Sequence, residues 1–464
     1  MAEGHQFDPT ILREYDIRGI VPDTLAPADV NVIGRVFGSI MLERGFKTAA
    51  VGYDGRLSSP QLEAALVEGL SSAGVDVTRV GRGPTPMLYF SQATLPTDAG
   101  LMITGSHNPP DYNGIKIVLD GKPFFADDIR VLGERARRGA VAAGDGTVTE
   151  RAVISDYVAR ILSDYEPGAG APPKVAWDAG NGAAGEALQM LCAGLPGSHI
   201  LLNEVIDGTF PAHHPDPTVE SNLDQLKQAV AENGCDLGIA FDGDGDRIGV
   251  IDGQGRVLWG DQLMVVLAAE VLADEPGATI IADVKSSRVF FDEITRMGGK
   301  PLMWKTGHSH IKNKMAEVGS PLAGEMSAHI FFKHRYYGYD DALYVAVRLI
   351  SAVNRSGMSL DAIYDRLPVM VNTPELRFDC AEDRKFKVIE DVQARLRDTD
   401  GVRVHDIDGV RVENDDGWWL LRASNTQAVL VARCESDTTE GLERLKNQLR
   451  AALTESGIEP PDLD

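Results

Sequence analysis

The chain has 464 residues, more than a single hydrophobic core organises, so two to four domains are expected. Its 69 acidic residues outnumber 45 basic ones, and the resulting net charge of −24 repels nucleic-acid phosphates and anionic lipid headgroups. Nucleic acid and membrane are therefore set aside as partners, and an anionic ligand would need a cleft that is basic against the mean field.

The opening residues, MAEGHQFDPTILREYDIRG, hold no apolar run of the kind a secretory leader needs. The first predicted strand, in AAVGYDGRLSS (49–59), ends in an Asp and a small-residue turn before a helical pattern. A second apolar run, DAGLMITGSHNPP (98–110), ends on Ser106 between Gly105 and His107. Serine is a weak nucleophile unless a base, a metal or prior activation helps it. The lipase elbow G-x-S-x-G does not fit, because Asn108 follows His107, and the chain has no P-loop. Read alone, the loop is equally a polar turn closed by an Asn–Pro stop.

The stretches 142–150 and 166–173, rich in Gly, Pro and polar residues, read as boundary and linker. The same pattern then returns. KVAWDAGNGAA (174–184) is a strand running into a small-residue turn, and CDLGIAFDGDGDR (235–247) ends in three alternating carboxylates, Asp242, Asp244 and Asp246, followed by Arg247. Three such carboxylates repel one another unless a cation sits among them, and hard oxygen ligands suit Mg²⁺ or Ca²⁺. An EF-hand would need Gly at position six and Glu at position twelve, where this chain has Arg247 and Gly253.

DGQGR (252–256) reads as the next boundary. The most apolar long stretch, Leu263 to Ala273, is interrupted by Glu270 and is too short to cross a bilayer. The third copy consists of TIIADVKSS (279–287) and VGSPLAGEMSAH (318–329). In its last loop Glu325, Ser327 and His329 offer the donors and acceptors that read sugar hydroxyls. Alone, His329 also suits a strand cap and Met326 a core position. LPVMVNTPE (367–375) marks the last boundary.

Beyond Val371 the texture changes to strand-like runs (LRFDC, WWLLRAS, AVLVARCE), then a helix with Leu442, Leu445, Leu449 and Leu453 on one face. Strands grouped before a helix predict a small α+β domain, with Trp418 and Trp419 as its packing. Arg422, Ser424, Asn425 and Thr426 combine a guanidinium, two hydroxyls and an amide, a set that suits an anion nest. Arg18, Lys116, Lys285 and His308 stand in or near strand-end loops, and each alone reads as a solvated surface residue. Cys192, Cys235, Cys380 and Cys434 are widely spaced without a CxxC pair, as expected of reduced thiols in a cytoplasmic protein.

Three α/β units in series could bring their strand-end loops to one cleft, because ligands of open α/β sheets bind at the carboxyl ends of strands. YDIRG (15–19), TGSHNP (104–109), NGIK (113–116), DGDGDR (242–247), DVKSS (283–287), TGHSHIK (306–312), GEMSAH (324–329) and RASNTQ (422–427) together resemble the α-D-phosphohexomutase superfamily, in its bacterial phosphomannomutase/phosphoglucomutase branch. Ala328 stands where many relatives have Gly, and Met326 separates the chain from the phosphoglucosamine mutase branch.

The resemblance implies three related α/β domains with mixed sheets and a C-terminal α+β domain around a central cleft. The expected segments are 1–150 (phosphoserine), 151–255 (metal), 256–370 (sugar recognition) and 371–464 (phosphate binding). It implies that Ser106 carries a phosphoryl group and, with Asp242, Asp244 and Asp246, holds Mg²⁺, while Arg247 supports the phosphoserine. Glu325, Ser327 and His329 would grip the sugar, and Arg422, Ser424, Asn425 and Thr426 the phosphate that is not reacting. Tyr15, Arg18, Lys285 and His308 would line the cleft, with Lys116 or His308 as general acid or base. The expected partners are small hexose phosphates of mannose or glucose, with hexose 1,6-bisphosphate as activator. The oligomeric state stays open, a monomer included. Closure of the C-terminal domain is expected to exclude water. The rival readings are a Mg²⁺-dependent phosphatase and a phosphosugar-binding protein without catalysis.

Overall fold

A computed structural model describes residues 4–139, 141–397, 399–425, 428–460 and 462–463. Its strands form four sheets, and three of these repeat one topology. In each, a central strand lies parallel to both neighbours: Thr48–Tyr53, Lys174–Asp178 and Thr279–Asp283. On one side lie Asp76–Arg82, Ser198–Leu202 and Lys300–Trp304. On the other lie Ala99–Ile103, Leu237–Phe241 and Leu322–Gly324. Each of these last strands turns back into an antiparallel partner: Tyr112–Leu119, Ile248–Asp252 and Ile330–Phe332. The parallel crossovers run through helices such as Ser59–Ala73, Gly185–Gly194 and Arg288–Arg296, as parallel strands require. The three expected strand–loop–helix copies are therefore present, and the three odd loops occupy the same topological position.

Two expectations are corrected. The turn at 252–256 is not a boundary. It is a hairpin turn, because Val257–Leu258 pairs with Ile248–Asp252 and completes the second sheet. The last domain does not group its strands before its helix either. Helix Glu382–Leu396 intervenes after Leu376–Asp379 and packs Val388, Ile389 and Val392 under a sheet made by Val371–Asn372, Leu376–Asp379, Arg403–His405, Val410–Asn414, Gly417–Ala423 and Val429–Ser436. The α+β class stands, and Leu442, Leu445, Leu449 and Leu453 of helix Thr439–Glu455 are buried on one face as expected.

The first domain has its own core, but helix Thr85–Thr94 places Met87, Leu88 and Phe90 in a second core shared with Trp177, Leu188, Val266 and Leu343. That common core ties the first three sheets together around the cleft. The apolar stretch near Leu263 is helix Gly260–Asp274, and its interrupting acid, Glu270, is buried against the guanidinium of Arg348 at 2.9 Å. Among the described residues no helix is long and apolar enough to cross a membrane.

The last domain docks on the third through buried polar contacts. Arg411 donates to the carbonyls of Val284 and Ser286 at 2.9 and 2.7 Å, and its guanidinium lies 3.8 Å from the Trp418 ring centre. Trp418, Ser287 Oγ and the Arg288 amide all donate to Glu435. Trp418 thus packs at this interface with Val284, while Trp419 belongs to the last domain's own core.

Candidate active site

Ser106 follows strand Ala99–Ile103, is buried, and has a φ of 51°, a left-handed conformation costly for a residue with a Cβ. Arg56 holds it there. This buried guanidinium donates to the carbonyls of Ser106 (2.8 Å), Asn108 (2.6 Å), Tyr112 (3.0 Å) and Pro109, with Asp54 beside it at 3.2 Å. The Ser106 hydroxyl lies 3.1 Å from His107 Nδ1 and 3.3 Å from Asp242 Oδ2.

The aspartate loop meets the serine loop directly. A Cβ on Gly243 would come within 2.4 Å of the Ser106 carbonyl, so the contact needs glycine there. Asp242, Asp244 and Asp246 are buried, with one oxygen from each within 4.8 Å of the others. Asp242 Oδ1 accepts from the amides of Asp246 and Arg247, both at 3.1 Å. Asp244 Oδ2 accepts from Lys116 (2.8 Å), Thr85 (2.5 Å) and Thr104 (3.1 Å), and Lys116 also reaches Asp246 at 2.5 Å.

Burial, with Asp244 and Asp246 close by, pushes the Asp242 carboxyl well above the ordinary range. At Asp244 burial acts the same way but is outweighed by Lys116 and the two threonines, so that carboxyl stays ionised. Burial likewise opposes the charge on Lys116, but Asp244 and Asp246 hold its ammonium form well above the usual range. Among the described residues Asp244 Oδ1 and Asp246 Oδ1 are buried with no hydrogen-bond partner, although His329 Nδ1 lies 3.4 Å from Asp246 Oδ1. Three buried carboxylates with an oxygen each within 4.8 Å of the others fit a divalent cation, so the triad could hold a metal ion.

Arg247 Nε donates to His329 Nε2 at 2.9 Å, which leaves the His329 proton on Nδ1, 2.9 Å from Asp340 Oδ2. Lys312 balances Asp340 from its other side at 3.1 Å. The hairpin loop carrying His329 also holds Glu325, whose Oε2 accepts from Ser327 at 3.2 Å and whose buried Oε1 has no hydrogen-bond partner among the described residues. Burial lifts the Glu325 carboxyl above its usual range. Ala328 has a φ of 65°, which is why glycine is the easier residue at this turn.

Lys285 Nζ pairs with Glu375 at 2.8 Å, and His308 opens helix His308–Val318 with burial holding its imidazole neutral. Arg422 is paired with Asp408 at 3.0 Å. Asn425 donates to the Tyr15 hydroxyl at 2.7 Å, and that hydroxyl donates to the Thr306 carbonyl at 3.0 Å, so Tyr15 joins the first, third and last domains. Arg18 bridges Asp16 and Asn108 at 2.5 and 2.6 Å.

Tyr15, Arg18, Ser106, Lys116, Arg247, Lys285, His308, Glu325, Ser327, His329, Arg422, Ser424 and Asn425 all line one cleft of about 1020 Å³. The aspartate triad lies directly beneath Ser106. Thr426 lies outside the described residues. The solvated-surface reading of Lys116 and Lys285 is corrected, since both are buried. Met326 lines the cleft rather than the core. Among the described residues, eight lysines and arginines line the cleft against four carboxylates, an excess of basic groups that contrasts with the acidic surface. Sequence reasoning missed Arg56, Asp54, Asp340, Glu375 and Asp408, each of which works through a partner distant in sequence.

Family models described as phosphoglucomutase/phosphomannomutase match in order across the chain. Alpha/beta/alpha domains I, II and III cover residues 9–140, 155–255 and 259–370, and the C-terminal domain covers 375–452. The chain belongs to this family. It is 45% identical over 454 residues, 97% of each chain, to a phosphomannomutase/phosphoglucomutase of Pseudomonas aeruginosa. It is 40% identical over 446 residues, 96% of each, to a phosphoglucomutase of Neisseria meningitidis. A crystal structure of a phosphoglucomutase/phosphomannomutase family protein from Burkholderia thailandensis aligns with a TM-score of 0.92 at 41% identity, over 99% of both chains. Phosphohexomutases of this family interconvert hexose 1- and 6-phosphates, so the chain is an enzyme of the isomerase class. The expected superfamily, four-domain architecture and enzyme class all hold.

Proposed function

We propose that this phosphohexomutase interconverts the 1- and 6-phosphates of mannose and glucose through a phosphorylated Ser106 and a bisphosphorylated hexose. The observation that carries the reading is one cleft lined both by Ser106, which sits against an aspartate triad, and by the Arg422 loop. We assign the serine loop to residues 1–150, the aspartate loop to 151–258, the sugar loop to 259–370 and the anion loop to 371–464. The second boundary moves past Leu258, whose strand belongs to the second sheet.

The incoming sugar phosphate docks its phosphate on Arg422, Ser424, Asn425 and Thr426, which turns its free hydroxyl toward Ser106. Tyr15, Arg18 and Lys285 complete the walls, and Glu325, Ser327 and His329 hold the ring hydroxyls. Mg²⁺ held by Asp242, Asp244, Asp246 and the Ser106 phosphate would spread the charge of the transferring phosphoryl group. The sugar oxygen forms its bond to phosphorus as the Ser106 Oγ–P bond breaks, and the hydroxyl proton leaves to a base. Lys116 and His308 both line the cleft, and we assign the general acid or base to one of this pair. Arg247 supports the phosphoserine. After the bisphosphorylated hexose turns end for end, the other phosphate returns to Ser106.

Hexose 1,6-bisphosphate is the activator that phosphorylates a resting Ser106. Four buried free cysteines suit the reducing cytoplasm. The test is Ser106→Ala, which should fold normally and lose at least ~10³-fold in mutase rate. Release of inorganic phosphate from mannose 1-phosphate, with no hexose 6-phosphate formed, would mark a phosphatase instead.

A further inference from the structure

The mutase reading, on which this inference rests, asks for a grip on the hexose that persists while the polar contacts of Glu325, Ser327 and His329 are exchanged. The hexose must present either end to Ser106 and must stay in the cleft while it turns. Hydrogen-bonding groups such as Glu325 and Ser327 are directional. An apolar surface is not, and it can hold the C–H face of a pyranose in either orientation.

Among the chain's five tryptophans, Trp177, Trp418 and Trp419 are buried in cores, and Trp304 carries the Lys314 ammonium 4.2 Å from its ring centre. Trp259 is different. It is 36% exposed and lines the cleft, and among the described residues no ring or cation stacks on it. A single exposed aromatic needs no explanation on an open surface, but this one stands inside a polar, cationic cleft.

Its backbone is also pinned beside the sugar loop. The Trp259 amide donates to Gln262 Oε1 at 3.0 Å at the start of helix Gly260–Asp274. A Cβ on the next residue, Gly260, would meet the carbonyls of Glu325 at 2.6 Å and Met326 at 2.8 Å, so the glycine is what allows this approach. The preceding Leu258 pairs with Val250, which brings Trp259 level with Gly249. Gly249 packs against Pro217, whose neighbour Val219 is 46% exposed and lines the same cleft. On this side of the cleft Trp259 and Val219 are therefore the apolar members of a lining that also includes Asp216 and Thr218.

We propose that Trp259 is a substrate-binding residue, an aromatic platform on which the hexose ring stacks in both of its orientations. A ring face discriminates weakly between hydroxyl epimers, which suits a site that takes both mannose and glucose phosphates.

The experiment has a spectroscopic arm and a kinetic arm. Glucose 1-phosphate, and separately mannose 1-phosphate, are titrated into Ser106→Ala protein while tryptophan emission is followed. A saturable change is expected, and it should vanish in the Ser106→Ala/Trp259→Phe double variant. In the otherwise native enzyme, Trp259→Ala should raise KM about three- to tenfold with kcat within about twofold, and Trp259→Phe should restore KM. An emission change that survives Trp259→Phe, or a native KM in Trp259→Ala, overturns the platform while leaving the mutase reading intact. A native enzyme that converts neither sugar phosphate removes both.

Discussion

Arg56 holds Ser106 by its backbone, so it sets the geometry of the hydroxyl without touching it. Its guanidinium is buried, burial pulls its pKa down, and Asp54 and Asp244 oppose that pull. Arg56→Met would strand Asp54 and several buried carbonyls, at a cost of about 3–5 kcal/mol in stability. Arg56→Lys keeps the charge but cannot reach all four carbonyls. It should unfold at a urea midpoint nearer the native one yet lose at least ~10-fold in turnover, because the left-handed Ser106 is no longer held. A Lys variant with the native rate would show that the serine loop holds its own shape. The motifs at Ser106, Asp242 and Glu325 were legible because unusual residues crowd into a few positions. Arg56 was not, and Lys116 was named only through the family resemblance, because a lone cation looks solvated until its partner appears. For Lys116 that partner lies 128 residues away, at Asp244.

Among the elements, helix Ala342–Ser356 has a cap that titrates. Asp341 accepts from the Tyr344 amide (3.0 Å) and from the hydroxyls of Tyr157 (2.9 Å) and Tyr336 (2.8 Å). Burial pushes its carboxyl up to about 6. Because the folded value lies above the unfolded value of about 3.9, the folded state binds more protons between the two. The stabilisation this gives is complete below about pH 4 and is lost as pH rises through about 6. Asp341→Asn should therefore flatten thermal stability between about pH 4 and pH 6 relative to the native chain, and an unchanged slope would place the titration elsewhere. The three strand–loop–helix copies could be read from sequence because buried parallel strands are short apolar runs ending in small residues. The 252–256 turn misled because Gly-rich hairpins and linkers share a composition. Helix Glu382–Leu396 escaped notice because most of its face is charged, and only Lys385, Val388, Ile389 and Val392 are buried.

Across the whole molecule, the last domain sits firmly on the third but meets the first through the Tyr15–Asn425 hydrogen bond, beside an open gap of about 870 Å³. Arg130 and Arg137 face this gap from the first domain, with Glu382 and the half-exposed Phe386 opposite. A closing motion would narrow it and strain the 367–375 connection, where Val369 is 86% exposed. Limited proteolysis should cut that connection first, and glucose 1-phosphate should slow the cut several-fold; equal rates with and without the sugar would argue against closure. The central claim is that phosphate passes through Ser106. Its most direct test is rapid mixing of the native enzyme and Mg²⁺ with phosphorus-labelled hexose 1,6-bisphosphate, quenching, and mapping of the label. The account predicts label on Ser106 that forms and discharges at least as fast as turnover. Label on Asp242, Asp244 or Asp246, or on Ser106 but discharging more slowly than turnover, would contradict it.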